Sequence, residues 1–146
     1  YGAGFILLPC CVIDEPIDWV AAAAPILADE LDVLRFHYEA VIPDPHWHLM
    51  IDKEQVWLNG CPVIRTRQFS ARPHLVSADW YRGMLTDWFP TQSKGFIEDH
   101  IYSPIVERGW EWSRIFMYCP PGDSIKRSWH TDGRAGAAKA PAYLPG

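Results

Sequence analysis

What this sequence lacks narrows its function before any motif is considered. It has no run of basic residues: 13 Lys and Arg are interspersed with 18 Asp and Glu, for a net charge of -5. Nothing in that distribution can follow a phosphodiester backbone, so duplex DNA or RNA is not an expected partner. No apolar run reaches the roughly 20 residues needed to span a bilayer. Cysteine is sparse, at Cys10, Cys11, Cys61 and Cys119, and none has the C-x-x-C spacing of zinc or redox sites. Adjacent Cys10 and Cys11 do not make an ordinary bridge. Buried free thiols in a reducing cytoplasm are the expected state, which places the protein there. The chain also lacks the basic start and small-residue cleavage site of a signal peptide. It begins at Tyr1 and enters an apolar run, Phe5-Ile6-Leu7-Leu8, directly, so it reads as an internal fragment of a longer protein. There is no internal repeat.

Apolar residues make up 49% of the chain, enough for one globular domain with a core. Eight Trp, six Tyr and six Phe exceed what a core of this size requires. A surplus of flat rings suits stacking on sugars or bases, which is a weak functional hint.

Periodicity predicts a strand over Phe5 to Ile13 and a helix over Ile17 to Leu31, capped by Asp14 and kinked or restarted by Pro25. A strand follows over Asp32 to Glu39, with Val33, Arg35, His37 and Glu39 on one side. This strand–helix–strand order predicts an α/β layer structure with parallel strands. If His46-Trp47-His48 is extended, His46 and His48 share a face. Two histidines are a weak metal signal, and a polar pocket wall is the better reading. Val56 to Leu58 and Pro62 to Thr66 read as two strands across an Asn59-Gly60 turn. Phe69 to His74 reads as a loop before a helix over Ser77 to Trp88, capped by Ser77, whose apolar stripe includes Trp80. Arg72 and His74 stand beside that helix, where site loops tend to lie. A third helix starts near Phe96, bends at Pro104 and ends at Gly109. Ser113 to Cys119 and Ser124 to Trp129 read as strands around a turn at Pro120 to Asp123. The domain is expected over 1–134, with a mobile tail over 135–146, where Ala, Gly and Pro leave little to bury.

Two clusters could carry chemistry. Glu98 and Asp99 open the third helix. Acidic residues favour that position for the macrodipole alone. Here, however, they lie between Phe96-Ile97 and Ile101-Tyr102, and shielding from water suits a carboxylate to take up a proton. The second cluster is His130-Thr131-Asp132-Gly133-Arg134. At strand spacing His130 and Asp132 can reach one ion, and Arg134 can fork onto a phosphate or carboxylate. A surface turn with a capping Asp is an equally good reading of that run.

The run Gly95-Phe96-Ile97-Glu98-Asp99-His100-Ile101-Tyr102, then Trp110 to Tyr118, then Arg127-Ser128-Trp129-His130-Thr131-Asp132-Gly133-Arg134, resembles the C-terminal half of family 2-type glycosyltransferases with the GT-A fold. Leu34 to Glu39, and Pro73-His74-Leu75-Val76 leading to Trp80-Tyr81-Arg82, are similar to the acceptor-side segments of such enzymes. The resemblance spans about Phe5 to Arg134 and rests on order and spacing rather than on one motif. It implies a partial GT-A-like, Rossmann-like layer structure with a mixed sheet and flanking helices. It also implies inverting transfer of a sugar from a nucleotide-sugar donor to a saccharide or other hydroxyl acceptor. Asp99 is then the base, with Glu98 beside it. Arg134 and Arg127 hold the donor diphosphate. The acceptor side falls to His37, Glu39, His48, Arg72, His74 and Trp80. His130 and Asp132 bind a divalent ion, Mn²⁺ or Mg²⁺.

One departure from the pattern bears on that ion. The family ends a central strand with an acidic D-x-D-like motif, and here the strand is followed by Pro9-Cys10-Cys11. The β-α-β nucleotide-binding unit that should come before is absent as well, so weak metal binding is expected. Two other readings compete. His130 and Asp132 after Pro120-Pro121-Gly122 also resemble the iron-binding strand of 2-oxoglutarate-dependent oxygenases, although no later His supplies a third ligand. Loss of the acidic motif also fits a non-catalytic carbohydrate-binding module.

Overall fold

The structure, a computed structural model, describes residues 3–6, 11–13, 17–36, 44–70, 72–89, 96–119 and 128–130. Its centre is a six-stranded mixed sheet with strand order β1-β6-β3-β7-β5-β4. The strands are β1 (Ala3–Ile6), β3 (Val33–Phe36), β4 (Val56–Leu58), β5 (Cys61–Arg65), β6 (His74–Ser77) and β7 (Ile115–Tyr118). Parts of the strands predicted over Phe5 to Ile13, Asp32 to Glu39 and Ser113 to Cys119, namely β1, β3 and β7, thus share one sheet. The pair β3–β7 is parallel, and the other four pairs are antiparallel. Two further strands, β2 (Cys11–Ile13) and β8 (Ser128–His130), pair antiparallel, with Cys11 opposite His130.

Alternation along β3 sorts its residues onto two faces. Leu34 and Phe36 join Leu75, Val63 and Phe116 against helix α1 (Trp19–Leu27), which supplies Ala22 and Ile26. Val33 joins Val76 and Ile115 against α2 (Ala78–Trp88) and α3 (Ile97–Arg108), which supply Met84, Ile101 and Ile105. A short helix, α4 (Trp110–Ser113), leads into β7. Each fully buried aliphatic side chain on these faces contributes about 2 kcal/mol over exposure. The result is a mixed α/β layer structure. With α1 helical and the sheet covered by helices, it is not the all-β arrangement that the oxygenase reading would need.

Several elements differ from the sequence reading, each for a local reason. Asp18, not Asp14, caps α1, and its carboxylate accepts from Val20 N and Ala21 N at 3.0 Å. Pro25 does not restart the helix, because the helix ends two residues later, at Leu27. The His46–His48 stretch lies in a 3₁₀ turn, Asp44–Leu49, so these histidines do not share a strand face. The loop expected over Phe69 to His74 does not lead straight into the helix: His74–Ser77 form β6, hydrogen-bonded to strands on both sides. The Asn59-Gly60 turn is as expected, with both residues at positive φ (47° and 80°) in a two-residue hairpin. Ser77 caps α2, accepting from Trp80 N at 3.4 Å. Gly109 ends α3 at φ 85°. The expected turn at 120–123 and the tail at 135–146 lie outside the described residues.

Candidate functional site

The first turn of α3 carries Glu98 and Asp99, and its N-cap, Phe96, offers no side-chain hydrogen bond. The acidic pair faces the helix dipole in the favourable sense. Both residues line a cleft of about 400 Å³ with Leu49, Gln68, Phe69 and Tyr102. Glu98 is half-buried and Asp99 exposed, so the shielding expected from the apolar neighbours falls on Glu98 rather than on Asp99.

The opposite wall is tied down by Thr66, which is fully buried. Its hydroxyl donates to the Leu49 carbonyl at 3.2 Å and accepts from Gln68 N at 3.1 Å. One side chain thereby joins the end of the 3₁₀ turn to the loop before β6. Phe69 forms the floor. Its ring is 5.4 Å from that of His74 and 6.1 Å from that of Trp80. Trp80 is itself anchored by Nε1 donating to the Trp112 carbonyl at 3.2 Å.

Behind Gln68 stands Arg35, only 2% exposed. Its Nη1 donates to both the main-chain and side-chain oxygens of Gln68, at 2.8 and 2.9 Å. Burial first, then the neighbouring Arg72 guanidinium, pulls Arg35 down to about 10, and Glu98 opposes the shift. The group therefore stays charged at neutral pH. His74 lies opposite Arg35 across β3 and β6. Its Nδ1 meets the Arg72 carbonyl at 2.6 Å. A carbonyl only accepts, so Nδ1 carries the proton and Nε2 is the acceptor. Burial holds His74 below the ordinary histidine value, against the hydrogen bond to the Arg72 carbonyl, and Arg35 lowers it further. Among the described residues, Arg35 Nε and His74 Nε2 are both buried without a hydrogen-bond partner.

Among the residues singled out from sequence, Glu98 and Asp99 are brought together at the cleft. His74 and Trp80 do not line it and act on it through Phe69. Arg72 is half-buried beside them, and its carbonyl holds His74. His48 is exposed on the 3₁₀ turn and does not line the cleft. His130 is placed in β8 opposite Cys11. His37, Glu39, Arg127, Asp132 and Arg134 lie outside the described residues. Gln68 and Thr66, which shape the opposite wall, carry no sequence signal. A polar residue in a Thr-Arg-Gln-Phe loop looks like any solvent-facing one.

A second cleft of about 280 Å³ lies beside α1 and the β4–β5 hairpin, lined by Asp18, Trp57, Cys61 and Tyr118 among others. It holds one carboxylate and a buried thiol that burial pushes up to about 11, a poor set for catalysis. Cys61 is a free thiol. Among the described residues no three His, Cys, Asp or Glu side chains converge as metal ligands. No described helix is long and apolar enough to cross a membrane. Comparison with protein-family models, with curated proteins and with solved structures found no match for this chain.

Proposed function

We propose that the protein belongs to a glycosyltransferase of the GT-A type. It would pass a sugar from a nucleotide-sugar donor to a saccharide hydroxyl with inversion. The observation that carries this reading is the pairing of Glu98 and Asp99 on one cleft with an exposed phenol, Tyr102, and an apolar floor. Asp99, the more open of the two, takes the proton from the acceptor hydroxyl. The acceptor oxygen then attacks the anomeric carbon from the face opposite the leaving diphosphate. Glu98, within electrostatic reach of Arg35, orients the hydroxyl.

A divalent ion, when bound, stabilises charge on a departing diphosphate. By resemblance its ligands would be His130 and Asp132. The residue across from His130 is Cys11, not a carboxylate. One His and one Asp are too few ligands to hold Mn²⁺ or Mg²⁺ firmly, and no step is assigned to the ion. Arg127 and Arg134 remain the proposed contacts to the diphosphate.

The test is transfer from a panel of nucleotide sugars to saccharide acceptors by the wild type and by Asp99→Asn. Loss of general-base help should lower turnover by roughly 10²–10⁴-fold and leave donor binding nearly intact. Equal turnover in the two proteins would remove Asp99 from the role.

A further inference from the structure

The geometry points to the cleft beside α3 as a subsite for a neutral vicinal diol, with Gln68 as its hydrogen-bond donor and Arg35 as the residue that fixes that donor's orientation. The inference rests on the saccharide reading of the same cleft and adds what that reading leaves open, namely which group selects the ligand.

A glutamine side chain can present either an acceptor or a donor, and in most settings it can rotate to suit. Gln68 cannot. Arg35 has only donors, so the Gln68 atom 2.9 Å from its Nη1 must be the oxygen. The same Nη1 also holds the Gln68 main-chain carbonyl at 2.8 Å, and Thr66 Oγ1 holds the Gln68 main-chain nitrogen at 3.1 Å. The residue is pinned at three points. Its remaining group, the Nε2 amide, makes no hydrogen bond among the described residues, while the half-buried side chain lines the cleft.

The cleft thus presents a fixed NH₂ donor on one wall and two carboxylate acceptors, Glu98 and Asp99, on the other. Leu49 and Phe69 supply the apolar floor, and Tyr102 a ring that is 56% exposed. A hydroxyl can accept from the amide and donate to a carboxylate at once, and a neighbouring hydroxyl on the same ring can donate to the second carboxylate. A divalent cation matches less well. The Gln68 side-chain oxygen, which could have joined the carboxylates, is taken up by Arg35 instead, and that buried guanidinium stands behind the wall. An anion would meet two carboxylates.

Gln68→Glu separates the two halves of the inference, because a carboxylate can still accept from Arg35 but has no NH₂ to offer. The experiment uses the ¹⁵N-labelled 146-residue chain. It is titrated with the methyl α-glycosides of glucose, galactose and mannose, and separately with Mn²⁺ and inorganic phosphate. At least one glycoside should shift the Gln68 side-chain amide signals, while Mn²⁺ and phosphate should leave that site unoccupied. In Gln68→Glu, glycoside affinity should fall by about tenfold, the loss of one hydrogen bond made worse by added negative charge. Its melting temperature should rise, because the buried charge of Arg35 gains a counter-charge. No shift with any glycoside, tight Mn²⁺ binding at Glu98 and Asp99, or unchanged glycoside affinity in Gln68→Glu would overturn the diol subsite. A lowered melting temperature would overturn the Arg35 lock. Glycoside binding without sugar transfer would leave this inference standing and remove the transferase reading. Transfer without glycoside binding at Gln68 would do the reverse.

Discussion

At the scale of single residues, charge placement separates what the sequence makes legible from what it hides. Glu98 and Asp99 are legible because acidic residues at a helix start, set among apolar neighbours, form a local pattern. Gln68 is not, because its meaning comes from Arg35, which lies 33 residues earlier in the chain. The same holds for Arg114. It sits in the left-handed region at φ 34° and grips Asp32 through Nε and Nη2, both at 2.8 Å, and Asp29 through Nη2 at 2.6 Å. These contacts, with the hydrogen bonds donated to Asp32 foremost and burial opposing, hold the Arg114 pKa above its ordinary value. Asp32 is 7% exposed. Asp32→Asn leaves the guanidinium with a weaker partner in a poorly solvated place and should cost about 2 kcal/mol. Chemical denaturation should show this as a lower midpoint at unchanged slope. A midpoint equal to that of the wild type would mean the clamp adds nothing.

Among the elements, helices α1 to α3, strands β3 and β7 and the Asn59-Gly60 hairpin follow from sequence, and β6 and α4 do not. β6 has four residues and begins with a histidine, and its strand identity comes from pairing with both β1 and β3. α4 also has four residues and reads in sequence only as the approach to a strand. In both cases tertiary pairing outweighs local propensity. Within α2 one residue works against its element. Gly83 is exposed in the helix interior, and a β-carbon there would meet nothing within 4 Å. Gly83→Ala should therefore stabilise the protein by about 1 kcal/mol and raise the melting temperature by about 3 °C. Differential scanning calorimetry decides it, and a fall in melting temperature would show that α2 needs the glycine.

For the whole molecule, the α/β class was legible because helical and strand periods alternate along the chain. The pairing order was not, since β3 lies between β6 and β7 only through contacts distant in sequence. Stability should also depend on pH through the core. His74 is 1% exposed, and burial holds its pKa below the ordinary 6.5. Above that value the ring is neutral in both folded and unfolded chains and contributes no pH dependence. Below it, the unfolded chain takes up a proton that the buried ring resists, so the unfolded state binds more protons and stability falls. Melting temperature should thus drop between about pH 7 and about pH 5. His74→Gln should show a shallower drop over the same interval. Identical slopes in the two proteins would assign the loss to other groups.

The parallel pair at the centre of the sheet has a consequence in time. Asp32 and Arg114, at the entrances to β3 and β7, are 82 residues apart in the chain. Closing that span is costly before any contact rewards it, and topologies dominated by such distant pairings fold slowly. During synthesis β3 emerges long before β7 and must wait for its neighbour. Until then its apolar edge stays open to whatever else is at hand. The cleft wall built from Leu49, Thr66 and Gln68 depends on the same late event, because Thr66 N donates to the Ile115 carbonyl at the start of β7. The candidate site is therefore among the last parts of the molecule to take shape.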